Sequence, residues 1–168
     1  ELTDQEDSPI DLGSTTGLWV TGDSVILGIR SKLENKEQIS LVNARVGRQA
    51  PELLAVMRVD QGSVPSSPVI FNLGNNNALS EQTVVEIFEV VKNQPQIIVV
   101  NTAVPRPWRD ANNAIISKVA SRYANVKLVD WDRISKDRPE LFAPDGVHLS
   151  PIGSDVYVDL VLSVLVKQ

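Results

Sequence analysis

Short runs of apolar residues alternate along the chain with longer stretches in which apolar positions recur every three or four residues. The short runs are LWVTG at 18–22, ISLVNA at 39–44, PVIFNLG at 68–74, QIIVVNT at 96–102 and VKLVDWD at 126–132. Each is rich in Val, Ile and Leu with little polar alternation, which predicts strands covered on both faces.

The stretches between them carry helical periodicity. Residues 24–35 and 51–61 predict helices, the second opened by Pro51 in its first turn. Residues 80–93 start on Ser80 as N-cap and carry Val84, Val85, Ile87, Phe88 and Val91 on one face. Residues 109–124 present Ile115, Ile116, Val119 and Tyr123, and residues 151–166 present Ile152, Val156, Leu160 and Val164 behind a Ser150 cap and Pro151. Residues 1–16, ELTDQEDSPIDLGSTT, are acidic and lack any period, and read as a polar arm or linker. Residues 17–168 then form one domain.

Five strands alternating with five helices predict an α/β domain: three layers, α/β/α, around a five-stranded parallel sheet. Right-handed crossovers leave few topologies, and the flavodoxin-like order 2-1-3-4-5 is the expected one. In such sheets functional groups gather beyond the carboxyl ends of the strands.

Composition narrows the chemistry. With no cysteine, thiolate metal sites, redox pairs and disulfides are excluded, and a single histidine among 168 residues argues against imidazole-rich metal centres. A net charge of −5 disfavours nucleic acid as a partner. No metal and no cofactor is expected. No apolar run reaches the ~18 residues that span a bilayer.

The polar residues at the strand ends are more informative. Ser24 follows Gly22 and Asp23 at the turn into the first helix, where N–H groups and the helix dipole favour negative charge; capping by Ser24 or Asp23 is the plain alternative. Gly47 after the second strand either exposes a backbone N–H to a ligand or makes a tight turn. Asn75, Asn76 and Asn77 after the third strand offer amide donors or a simple loop. Asp145 and His148, after the fifth strand, are three residues apart, so the carboxylate is able to hold one imidazole nitrogen while the other takes a proton. Together these give a nucleophile, two oxyanion donors, and a base with its orienting acid, the set needed for acyl transfer through an acyl-serine. Asp23 and Asp132 read as turn-forming, and Trp131 as structural.

GDS at 22–24, the glycine at 47, Gly74-Asn75-Asn76 and Asp145-x-x-His148 resemble, in order and spacing, the four blocks of the SGNH (GDSL-like) hydrolases. VGRQ, NTAVPRPW, LVDWDRIS and FAPDGVHLSPIGSDVY are further similar to the extracytoplasmic C-terminal SGNH domains of peptidoglycan O-acetyltransferases and their acyltransferase-3 relatives. The resemblance implies Ser24 as nucleophile, His148 as base and Asp145 as its partner. It implies an oxyanion hole of the Ser24 and Gly47 N–H groups with the Asn76 side chain. Many SGNH esterases have Asp after that asparagine; here Asn77 stands instead. It also implies an acetyl donor, a cell-envelope glycan acceptor, and N-terminal fusion to a membrane acyltransferase-3 region. That fusion would tether the domain at the outer face of the membrane, and the isolated domain is expected to be monomeric.

Arg48, Arg106 and Trp108 lie in loops after the second and fourth strands and suit sugar stacking and anionic glycan contacts, with packing and solvation as the alternative. The expected activity is acetyl transfer to a glycan hydroxyl. A carbohydrate acetyl esterase would use the same residues, and a non-catalytic flavodoxin-like binding module is the alternative of another class.

Overall fold

The structure is a computed structural model that describes residues 17–167; the arm read at 1–16 lies outside the described residues. Five strands, β1 (Leu18–Gly22), β2 (Ile39–Ala44), β3 (Val69–Asn72), β4 (Ile97–Val100) and β5 (Val126–Val129), pair in parallel in the order β2-β1-β3-β4-β5. This is the expected order. Among the described residues six α-helices flank the sheet: α1 (Ser24–Lys36), α2 (Ala50–Asp60), α3 (Glu81–Val91), α4 (Arg109–Ala120), α5 (Trp131–Ser135) and α6 (Pro151–Ser163).

Strand alternation divides the core in two. Trp19, Val69, Phe71, Ile97 and Val99 face one side, where they pack with Leu53 and Met57 of α2, Ile87 and Phe88 of α3, and Ile116 of α4. Val20, Ile70, Ile98 and Val100 face the other side and meet Ile26 and Ile29 of α1 and Val158 and Val161 of α6. Burying each such side chain is worth ~1.5–3 kcal/mol, which is why the central strands read as continuous apolar runs.

Two expectations shift. The run at 126–132 is strand only to Val129, because Asp130 turns to cap the short helix α5 by accepting from Arg133 N. Trp131, at the start of α5, packs edge-on against Tyr157 and is 4% exposed, a structural role as expected. On α6 the buried face is Gly153, Tyr157, Val158 and Val161, while Ile152 is 57% exposed and Val156 and Leu160 are only partly buried. This helix is apolar around most of its circumference, so periodicity does not choose its face. Gly153 does: a Cβ there would lie 1.7 Å from the Leu141 carbonyl oxygen, so the glycine side lies against the chain entering α6.

Because all strands run the same way, Gly22, Ala44, Asn72, Val100 and Val129 end at one rim, and the loops that follow them stand side by side.

Candidate active site

Asp23 is the N-cap of α1, accepting from Val25 N at 2.9 Å, which makes Ser24 the first helical residue. Its backbone N–H therefore lies in the turn that has no intrahelical partner, at the positive end of the helix dipole. Of the two capping candidates in the sequence, Asp23 takes the cap and leaves the serine hydroxyl free. Ser24 Oγ lies 3.1 Å from His148 Nε2.

The segment carrying His148 is a tight loop closed at its base. Phe142 and Leu149 form an antiparallel bridge, Ala143 N donates to His148 O at 2.8 Å, and Ser150 N donates to Leu141 O at 3.0 Å. Ser150 then caps α6 through Gly153 N at 3.0 Å. Inside the loop, His148 Nδ1 is 2.5 Å from Asp145 Oδ2, while Asp145 Oδ1 accepts from the backbone N–H of Val147 at 2.9 Å and of His148 at 3.0 Å. The imidazole contact, helped by those two N–H groups, holds the Asp145 carboxyl at about 2, below its ordinary 3.8. The carboxylate is therefore ionised throughout the neutral range and fixes the ring so that Nε2 faces the serine. Both side chains are about half exposed, His148 at 50% and Asp145 at 48%.

A ladder between helices holds this loop beside α1. Lys32 Nζ donates to Pro151 O at 3.2 Å and pairs with Asp155, and Lys36 pairs with Asp159 at 2.8 Å. Exposed pairs of this kind are individually weak, so they set register more than stability.

Gly47 lies in the turn between β2 and α2 with φ of +73°, a left-handed conformation that glycine adopts freely. The turn is tied to the end of β1 by Arg45 N donating to Gly22 O at 3.2 Å. Asn76, in the loop after β3, directs Nδ2 to Asp23 Oδ2 at 3.1 Å and to Arg48 O at 3.2 Å. Gly47, Asn76 and Val147 line a common cleft of about 350 Å³, so the loops after β2, β3 and β5 converge there.

That cleft is also lined by Arg106 and Trp108. Arg106 is exposed, and among the described residues its guanidinium bonds only the adjacent Pro105 carbonyl, at 3.1 Å. Trp108 donates from Nε1 to Asn75 O at 3.3 Å, which fixes its indole against the loop after β3. Arg48 takes the packing alternative: its side chain is 6% exposed, its guanidinium donates to the Asn43 and Gly22 carbonyls at 2.9 and 3.4 Å, and its Nε lies 3.7 Å from Glu52 Oε2. Carbonyls at the ends of two adjacent strands attract a cation inward, away from the cleft.

Two contributors escaped the sequence reading. Asn112 of α4, 1% exposed, accepts from Leu79 N at 2.8 Å and donates to the Gly74 and Asn77 carbonyls at 3.0 and 2.9 Å, clamping the loop that carries Asn76. Asp23, read as turn-forming, also gathers three asparagine amides. Among the described residues, no cluster of three or more His, Asp or Glu side chains is arranged to hold a metal ion, and no helix is long and apolar enough to cross a membrane.

No family model matches the chain. It is 35% identical over 147 residues to the peptidoglycan O-acetyltransferase OatA of Listeria monocytogenes, a match covering 87% of this chain and 23% of that protein. It is 33% identical over 145 residues to YrhL of Bacillus subtilis, covering 86% of this chain and again 23% of the relative. The chain thus spans about a quarter of the length of the curated relatives it matches. In structure it superposes on the C-terminal catalytic domain of OatA from Streptococcus pneumoniae, solved with a methylsulfonyl adduct, with a TM-score of 0.66 and 23% identity over 89% of this chain and 92% of that one. It superposes similarly on Axe2, an acetylxylan esterase of Geobacillus stearothermophilus, with a TM-score of 0.68 and 17% identity over 87% and 92% of the two chains.

Proposed function

Because the chain has the SGNH hydrolase fold and is homologous to one region of the peptidoglycan O-acetyltransferases, we propose that it is a serine O-acetyltransferase domain acting on a cell-envelope glycan. The observation that carries this reading is the line from Ser24 Oγ to His148 Nε2, 3.1 Å, and from His148 Nδ1 to Asp145 Oδ2, 2.5 Å.

Ser24 Oγ attacks the carbonyl carbon of an acetyl donor while His148 Nε2 takes the hydroxyl proton. The carbonyl π pair moves onto oxygen, and the oxyanion is met by the Ser24 and Gly47 N–H groups and the Asn76 amide. Collapse breaks the bond to the leaving group, which takes the proton from His148, and acetyl-Ser24 remains. A sugar hydroxyl then gives its proton to His148 and attacks the acetyl carbon, and the second collapse releases O-acetylated glycan and the serine hydroxyl. Trp108 and Arg106 on the cleft are suited to holding the sugar, one by its indole face and the other by a guanidinium that has no carboxylate partner among the described residues.

Ester hydrolysis is the second reading, favoured by the exposure of His148: with half of the imidazole open, water reaches the acetyl-serine when no sugar is present. The kinship also supports placement outside the cytoplasm, with fusion to a membrane acyltransferase-3 region that would hold the domain near its glycan.

The test follows cleavage of a chromogenic acetyl ester by wild type and S24A, with and without wall-type oligosaccharides, and weighs the sugars by mass spectrometry. Ser24-dependent gain of one acetyl group by a sugar is the expected result. Ser24-dependent cleavage with unaltered sugars throughout a panel of wall glycans would establish the esterase instead. Equal cleavage by both proteins would sink the catalytic reading and favour a binding module.

A further inference from the structure

Asp23 does far more than a helix cap requires. The residue is 5% exposed, and each carboxylate oxygen accepts two hydrogen bonds. Oδ1 takes Val25 N at 2.9 Å and Asn72 Nδ2 at 2.7 Å; Oδ2 takes Asn75 Nδ2 at 2.9 Å and Asn76 Nδ2 at 3.1 Å. Asp23 N also donates to Asn72 Oδ1 at 3.2 Å, so the Asp23–Asn72 pair is reciprocal. A cap needs only the bond to Val25. The other three donors are neutral amides from β3 and the loop behind it, and the nearby Arg48 guanidinium is bound to carbonyls instead. Four donors satisfy the buried carboxylate fully, and three of them tie the start of α1 to β3 and the loop behind it.

The effect of that tie is visible at Asn76. Its Nδ2 carries two hydrogens, one directed to Asp23 Oδ2 at 3.1 Å and one to the Arg48 carbonyl at 3.2 Å. A developing oxyanion on the cleft is a stronger acceptor than a neutral carbonyl. We infer that Asp23 is a positioning residue: by fixing one Nδ2 hydrogen of Asn76, it presents the other for transfer from the Arg48 carbonyl to the oxyanion. This rests on Asn76 acting as the side-chain donor of the oxyanion hole. Asp23 is buried with both carboxylate oxygens taken up by protein donors, so it works through the asparagine.

Asparagine caps a helix as well as aspartate does, so D23N keeps the start of α1 while replacing one acceptor oxygen by a donor. If the remaining oxygen stays on Val25 and Asn72, the new amide confronts the amides of Asn75 and Asn76. The experiment is a double-mutant cycle of D23N, N76A and D23N/N76A, reading kcat and KM for a chromogenic acetyl ester, with thermal melts of each. D23N and N76A are each expected to lower kcat by ~100-fold, the scale of losing one oxyanion donor, with KM little changed. The double variant should lie within ~3-fold of N76A alone, because the two act as a unit. A double variant slower by the product of the two losses, or a D23N kcat near wild type, overturns the role of Asp23 alone. An N76A kcat near wild type overturns the oxyanion assignment on which it rests. Should D23N fail to fold, D23S, which also caps α1 and offers nothing to Asn76, takes its place in the cycle with the same outcomes.

Discussion

Ser24 and His148 are 124 residues apart in the chain, and their Oγ and Nε2 atoms lie 3.1 Å apart at the rim of the sheet. The contact depends on where α6 docks, because the His148 loop ends on the Ser150 cap of that helix. Gly153 sets the docking, since its missing Cβ is the space occupied by the Leu141 carbonyl. G153A is expected to lower stability by at least ~1–3 kcal/mol through overpacking, and to slow ester cleavage as the loop shifts. G28A is the control: a Cβ on that exposed α1 glycine meets nothing within 4 Å. It should raise stability by ~0.5–1 kcal/mol through helix propensity. Urea unfolding of both variants checks the pair, and equal effects would contradict the docking role.

The Asp145–His148 contact makes a pH prediction with a definite sign. The folded carboxyl titrates at about 2, below its ordinary 3.8, so the contact adds stability above the ordinary carboxylate range and loses it as pH falls through about 2. Removing the imidazole removes the largest cause and leaves the two backbone N–H groups. In H148A, Asp145 should therefore titrate higher than in wild type but still below a free aspartate. Carbon-detected NMR of the carboxyl measures this directly; the same midpoint in both proteins would show that the ring does not hold the carboxylate. The variant should also lose activity by ~10²–10⁴-fold, the range for a general base.

Asn112 makes a prediction about the loop that carries Asn76. Its carboxamide is the partner of Leu79 N, Gly74 O and Asn77 O, all in or next to that loop. N112L keeps the volume and leaves all three backbone groups without it, an expected loss of ~1–3 kcal/mol or more. N112D retains the acceptor for Leu79 N but turns a buried carboxylate oxygen toward the two carbonyls, and should be at least as destabilised as N112L. Denaturant midpoints of both variants well below wild type, with N112D no higher than N112L, would bear this out. If N112L matched wild type, the clamp would be of no consequence.

Much of the architecture is legible in the chain because it is written locally. Alternating apolar runs and helical faces give β1 and β2 at their observed bounds and place Ser24, Gly47, Asn76 and the Asp145–His148 pair behind β1, β2, β3 and β5. What escaped is non-local and polar. Asp23 receives amides from 49, 52 and 53 residues away, and no period in the sequence marks such a convergence. Asn112 sits on an amphipathic helix where a polar residue reads as solvent-facing, yet it is turned inward by the carbonyls of another loop. The loop position of Arg48 leaves it open between a glycan contact and packing, and carbonyls at two strand ends draw it in. The buried face of α6 differs from the expected one because apolar residues surround most of the helix and give no single stripe, and the packing of a glycine decides it.

Arg48 and Trp108, both candidate sugar contacts from sequence, should now separate in experiment. R48M removes the buried guanidinium from the Asn43 and Gly22 carbonyls, which keep Thr21 Oγ1 at 2.9 Å and Arg45 N at 3.2 Å, so its expected cost is stability, ~1–3 kcal/mol for the charge-assisted bonds lost. Its KM for glycan acceptor should then move little in folded protein. W108A removes an indole from the cleft, and a lost stacking contact of ~1.4 kcal/mol raises the acceptor KM by about tenfold. W108F separates the ring from its N–H: the aromatic face remains while the 3.3 Å bond to Asn75 O is lost. If stacking matters, W108F should keep most of the acceptor affinity; if it falls as far as W108A, the indole acts by holding the Asn75–Asn76 loop instead. Acceptor titrations at fixed acetyl donor, read by mass spectrometry of the sugars, distinguish the two roles.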